Sequence, residues 1–100
     1  MLTDKKYNTN DVVTFKLTSG EEIIARITED RDSSFLLTKP VALLNTPTGG
    51  VGMMPSPISI NHQESIVLNK HAVAIHGKSD SDVAKQYIEK TTGISLVKSM

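Results

Sequence analysis

Apolar and polar positions alternate through the first third of the chain. Val13, Phe15 and Leu17 point one way and Thr14 and Lys16 the other, the period-two pattern of a half-buried strand. Thr18-Ser19-Gly20-Glu21 supplies turn chemistry, with Gly20 able to take a positive φ without a Cβ clash. Alternation resumes with Ile23, Ala25 and Ile27 against Glu22, Ile24, Arg26 and Thr28, which predicts a hairpin. After the polar break Glu29–Ser34, Phe35 to Lys39 predict a third strand that Val41 to Leu44 carry onward. Pro40 between them has no ladder donor and belongs at an edge or at a bulge where the strand bends. Asn45 to Pro57 contains three glycines and three prolines and reads as a loop or a mobile hairpin tip. Ile58 and Ile60 reopen a strand through His62 and Glu64 to Leu68. A polar knuckle, Asn69-Lys70-His71, then bends the chain into a last short strand with Val73 and Ile75.

The period changes after Gly77. Ser79-Asp80-Ser81-Asp82 offers N-cap candidates and acidic groups suited to the positive end of a helix dipole. Val83 with Tyr87, and Ala84 with Ile88, recur at i, i+4, and Gly93 is placed to end the helix, predicted over about Ser81 to Thr92. Val83, Tyr87 and Ile88 form its expected packing face. Met1 to Asn10 is polar, with at most one helical turn, and Ile94 to Met100 has no clear period. Five strands in succession and one C-terminal helix predict a mainly β chain, a small, strongly bent five-stranded antiparallel open barrel. The barrel with a short polar arm would occupy residues 1–78, and the helix and tail at 79–100 would pack on the same domain.

Composition narrows the function classes. The 100 residues include no cysteine, which excludes a disulfide framework and thiolate metal sites. Apolar runs are too short to span a membrane, and no segment near Met1 reads as a signal peptide, so a cytoplasmic location without membrane contact is expected. Lys plus Arg number 11 and Asp plus Glu also 11. A monomer with that balance is a poor general nucleic-acid binder, because phosphate neutralisation drives most of such affinity. Positive charge would have to be concentrated locally, for instance by repeating one lysine around a symmetric pore.

Several side chains carry candidate chemistry. Lys70 and His71 form either a solvated turn or a phosphate cation beside a hydrogen-bonding imidazole. Asp30 and Asp32 have the types of an acid–base pair, but no third group stands at a fixed spacing, and Asp30 reads better as a carboxylate bonding loop amides. Arg31 between them is a surface charge, or a second phosphate contact if its loop faces a pore. His62 and Glu64 share a strand face and could reach His71 or His76, but two ligands do not make a metal site. Met53 and Met54 read as a flexible contact surface. No phosphate loop, Ser-His-Asp set or zinc spacing appears, so neither catalysis nor a cofactor is expected.

Lys70-His71-Ala72-Val73 resembles the Lys-His-Ala-Ile core of the second Sm motif in the Hfq branch of the Sm-like family, the bacterial RNA chaperones. The first Sm motif has its counterpart upstream. Gly20 takes the hairpin position, Ile23 and Ile27 the apolar positions, and Ala25 the place of a usual glycine. After a one-residue deletion, Asp30 matches the loop aspartate and Ser34 the Sm asparagine, ahead of Phe35-Leu36-Leu37. The similarity runs from Val12 to Ile75. It implies an Sm-like (SH3-like) barrel, assembled through edge strands into a homo-oligomeric ring. It also implies that Asn69, Lys70 and His71, facing Asp30, Arg31 and Ser34, bind single-stranded RNA, or DNA, at the pore rim. Two departures stand out. The helix follows the barrel instead of preceding it, and Asp32 and Ser33 replace the stacking aromatic, which leaves only Tyr7, Phe15, Phe35 and Tyr87 to stack on bases. The alternative expectation is a protein-interaction or assembly module of the same fold without nucleic-acid binding. A metal-dependent hydrolase using His62, Glu64 and Asp30 is the weakest reading.

Overall fold

The computed structural model describes residues 6–56 and 64–92. Within them the chain runs β1 (Val12–Leu17), β2 (Glu22–Asp30), β3 (Ser34–Asn45), β4 (Val51–Pro55), β5 (Ile66–Asn69), a 3-10 turn (Lys70–Ala72), β6 (Val73–Lys78) and α1 (Ser81–Thr92). All strand pairs are antiparallel. The sheet order is β4-β3-β2-β1-β6, and β5 joins the same edge of β3 that carries β4. Six strands thus stand among the described residues. The segment read as a loop or hairpin tip is a hairpin that also contains β4: Asn45 and Val51 close it over the turn Thr46–Gly50, and Val51 to Pro55 return along Val41 to Asn45. Glycine and proline density concealed that strand. The predicted start of the next strand, Ile58 to His62, lies outside the described residues, as do the tail Ile94 to Met100 and the expected helix stop at Gly93. Glu64 is not in a strand; β5 begins at Ile66.

β3 holds the architecture together by changing partners along its length. Ser34 to Leu37 pair with β5 and Val41 to Asn45 with β4, while β2 follows the opposite edge throughout. The change falls at Lys39-Pro40. There the β2–β3 ladder slips by one residue between Ile24↔Val41 and Arg26↔Thr38, and Lys39 takes φ 50°. Pro40 thus sits at a bulge, as its missing donor requires. Ala25, fully buried, lies opposite the slip, where a larger side chain would crowd the bent strand.

Both faces of the sheet are covered. One buries Tyr7, Val13, Phe15, Ala25, Ile27, Phe35 and Leu37, with Leu68 of β5 and Val73 of β6 against them. Residues from both margins of the sheet meet in one cluster, so the sheet curls around this core. The other face buries Ile24 and Val41 under Tyr87 of α1, flanked by Val12, Leu43, Met53 and Val83. Ile24 was expected on the polar face of β2; it is fully buried because the helix lies on that face. Asp80 caps α1, its carboxylate accepting the Asp82 amide at 3.1 Å and its carbonyl the Ala84 amide at 2.8 Å. Tyr87 donates its hydroxyl to the carbonyls of Lys39 (2.8 Å) and Thr38 (3.1 Å), so the helix satisfies backbone acceptors at the bulge. Lys39 in turn reaches the Thr91 carbonyl at the negative end of α1. Ile88 departs from its expected packing role and is 37% exposed, while Val83 and Tyr87 carry the contact. No described helix is long and apolar enough to cross a membrane.

Candidate nucleic-acid interface

The six expected site residues lie where the ends of β2 and β5 meet. Asp30 closes β2, Arg31 opens the following turn, and the Arg31 amide donates to the Ser34 carbonyl at 2.9 Å. Ser34 and Asn69 are register partners across β3 and β5, and the Lys70 amide donates to the Ser33 carbonyl at 2.9 Å. The knuckle is a single 3-10 turn, Lys70–Ala72, with Asn69 as its extended N-cap residue. Asn69 makes no side-chain capping bond, and His71 is exposed beside it.

Lys70 does not present a free cation. Its ammonium donates to Asp30 Oδ1 at 2.8 Å and stands 4.6 Å from the centroid of the Phe35 ring. Asp30 accepts, on its other oxygen, the backbone amides of Lys6 (2.9 Å) and Tyr7 (3.3 Å). Its side chain is 3% exposed and that of Lys70 29%. Burial pushes the Asp30 carboxyl upward, but the Lys70 ammonium and the two amides outweigh it and hold the group below the usual carboxylate range. The sequence placed Asp30 as an amide acceptor, and that role is present. The amides, however, belong to the N-terminal arm and not to its own loop. Arg31 is engaged as well, 3.2 Å from Glu29, with both side chains about half exposed.

The arm is the part the sequence did not expose. Tyr7 is 5% exposed and belongs to the core, and its hydroxyl bonds His76 Nδ1 at 2.7 Å. The His76 ring lies edge-on to Tyr7 and Phe35 at 5.5 and 5.3 Å between centroids. The Asn10 amide and the Asp11 carbonyl extend the pairing with Ile27. A lone tyrosine in a polar stretch was the only available signal, and it carries no periodicity to read.

Chemically, the knuckle offers the Asn69 amide, the His71 imidazole and an ammonium already neutralised by Asp30. It offers no Phe or Tyr face, and its one ring is the His71 imidazole. Tyr7, Phe15, Phe35 and Tyr87 are the four aromatic residues of the chain, and all are at most 5% exposed. Among the described residues no three His, Asp or Glu side chains gather as metal ligands; Glu64 and His76 are described, whereas His62 lies outside. Met53 and Met54 stand on β4, Met53 packed toward α1 and Met54 48% exposed. A scan against protein-family models finds no match to this chain, and a comparison with curated proteins finds none either.

Proposed function

We infer that the chain is a self-assembling module of Sm-like barrel type whose copies join edge to edge, β5 of one to β6 of the next, and close into a ring. The carrying observation is the pairing of exposed apolar residues with unpaired strand edges. Val67 on β5 is 61% exposed and Ile75 on β6 67%, and among the described residues each of these strands is paired on one side only. An apolar edge of this kind templates pairing unless something covers it. Joining two different edges is heterologous, so it continues past a dimer, and it forms a ring where the rotation between subunits closes. Sedimentation velocity at micromolar concentration tests this. A species several times 10.9 kDa is expected, dissociated by Val67→Lys or Ile75→Lys; a wild-type monomer overturns it.

A second reading has such a ring bind single-stranded RNA or DNA at Asn69, Lys70 and His71 with Asp30, Arg31 and Ser34. It is favoured by the exposed Asn69 and His71 side by side on one turn. The Lys70–Asp30 pair weighs against a phosphate-driven version, since a phosphate would have to draw the ammonium from a buried carboxylate. Binding in this reading depends on hydrogen bonds to bases and sugars, with a shallow dependence on salt. Fluorescence anisotropy with single-stranded oligonucleotides tests it. His71→Ala and Asn69→Ala should weaken binding while Lys85→Ala leaves it unchanged, and no binding by wild type discards the reading.

A further inference from the structure

The β3–β4 hairpin ends in an apolar tip whose outer edge pairs with no described strand. The backbone bonds Thr46 N–H to Gly50 C=O and Ser56 N–H to Pro40 C=O flank the hairpin. In an antiparallel ladder bonded pairs recur at every second residue. Gly52 and Met54 therefore turn their backbone groups toward β3, and Val51, Met53 and Pro55 turn theirs outward. The free edge offers the N–H and C=O of Val51 and Met53 and the C=O of Pro55, which has no N–H. No described strand takes them up. Around this edge Leu44, Val51 and Met54 are 46%, 55% and 48% exposed. The helix does not close it off; Val51, Gly52 and Met53 face Gln86, Glu89 and Lys90 across an open trench of about 320 Å³.

Gly52 is the second observation. It lies inside a strand, where glycine weakens pairing, and its φ is not in the left-handed region. Among the described residues a Cβ there would meet only Thr46 Cγ2 at 3.5 Å and the Leu44 carbonyl at 3.9 Å, ordinary contacts. Nothing among the described residues calls for glycine at this position. Close approach of another chain does.

We propose that the β4 edge pairs with the β4 edge of a second copy, antiparallel, about a two-fold axis through Met53. This register overlaps all five residues of the strand. The two Met53 residues exchange both of their backbone bonds, and each Val51 N–H donates to the Pro55 C=O of the other copy, so the donor that proline lacks falls at the ends of the pairing. Gly52 then stands opposite Met54 of the second copy in a non-bonded pair, where Cα atoms come within about 4.5 Å. The Met54 side chain passes over the glycine toward Leu44, the register neighbour of Gly52 on β3. Leu44, Val51 and Met54 are covered together. The contact is isologous and lies on a different edge from β5 and β6, so it joins subunits, or rings of subunits, in pairs.

The absence of cysteine makes the test direct. Met53→Cys under mild oxidation should yield a covalent dimer, because the two sulfurs meet on the axis. Val51→Cys should not, since its Cα would lie about 14 Å from its own copy, four residues at about 3.4 Å apart, and disulfides need less than about 7 Å. Gly52→Val should abolish the Met53→Cys cross-link and halve the sedimenting mass, without lowering the urea midpoint measured at protein concentrations too low for pairing. Met54→Lys, at an exposed position, should do the same and stands in if the valine variant misfolds. Val67→Lys should leave the cross-link intact, which separates this contact from the ring contact. No cross-link at residue 53, equal cross-linking at 51 and 53, or an unchanged mass in both the Gly52 and Met54 variants overturns the proposal and leaves the edge for a strand of different sequence.

Discussion

The two halves of β3 support regions of opposite character. Where Ser34 to Leu37 pair with β5, the charged groups are consumed internally: Asp30 is held by Lys70 and two arm amides, and Lys70 is held by Asp30 over Phe35. Where Val41 to Asn45 pair with β4, the exposed apolar side chains of Leu44, Val51 and Met54 flank an edge that no described strand pairs. The lesson is that residue type does not reveal which groups are spare. The lysine and aspartate that look most like a binding site are bonded to each other, whereas a Gly/Pro-rich stretch that looks like a loop or hairpin tip carries a strand edge with no described partner. Tyr87 stands between the two halves and ties the bend to the helix.

The largest expected effect breaks the closed end. Lys70→Met leaves the Asp30 carboxylate buried without its ammonium and should cost about 3 kcal/mol by urea unfolding, with much of it regained in the Asp30→Asn/Lys70→Met double variant. A loss no larger than that of an exposed lysine would show that the pair is solvated. It follows that Lys70→Ala reports on folding as well as on any ligand, which is why Asn69 and His71 are the cleaner probes of the knuckle. The same pair sets an acid limit. A carboxyl whose folded pKa is depressed contributes stability above its unfolded value and loses it as pH falls through the folded one. Wild type should therefore destabilise below the usual carboxylate value more steeply than the double variant.

The bend is probed from the alkaline side. Burial pushes the Tyr87 hydroxyl up to about 12, against the opposing influence of Arg26 and Thr91. For a group whose folded pKa is raised, stability is intact below the unfolded value near 10 and is lost as pH rises through the folded one. The loss across that window should be on the order of 2–3 kcal/mol. Tyr87→Phe should flatten this alkaline limb and cost about 1 kcal/mol at neutral pH, for the hydroxyl bonds to Thr38 and Lys39. An unchanged alkaline limb would place the titration elsewhere.

The smallest effect belongs to the open end. Gly52→Val should change subunit stability by less than about 1 kcal/mol, and in the stabilising direction, because a β-branched residue replaces a strand glycine. A substantial loss would mean that Gly52 serves the subunit itself and would erase the contrast between the two ends.

How much of this was legible in the sequence depended on whether the signal was local. Alternation at Val13, Phe15 and Leu17 and at Ile23, Ala25 and Ile27 determined the first hairpin, because side chains on a strand change faces at every residue and one face is buried. Gly20 at φ 102° determined its turn, Pro40 the bulge, and Ser81–Thr92 the helix with an acidic cap. These are preferences of short segments and need no partner. The knuckle was also legible as a bend with Asn69, Lys70 and His71 at its corner. What only tertiary structure decided was where each group spends its bonding capacity. Asp30 meets Lys70 across 40 positions, Tyr7 meets His76 across 69, and Ile24 is buried because a helix some 60 residues later settles on its face. Pairing over such separations is set by which surfaces the folded sheet brings together, and no periodicity within a window records it. The β4 strand was hidden for the same reason: its propensity is poor, and it forms because β3, already anchored to β2, presents an edge for it to pair with.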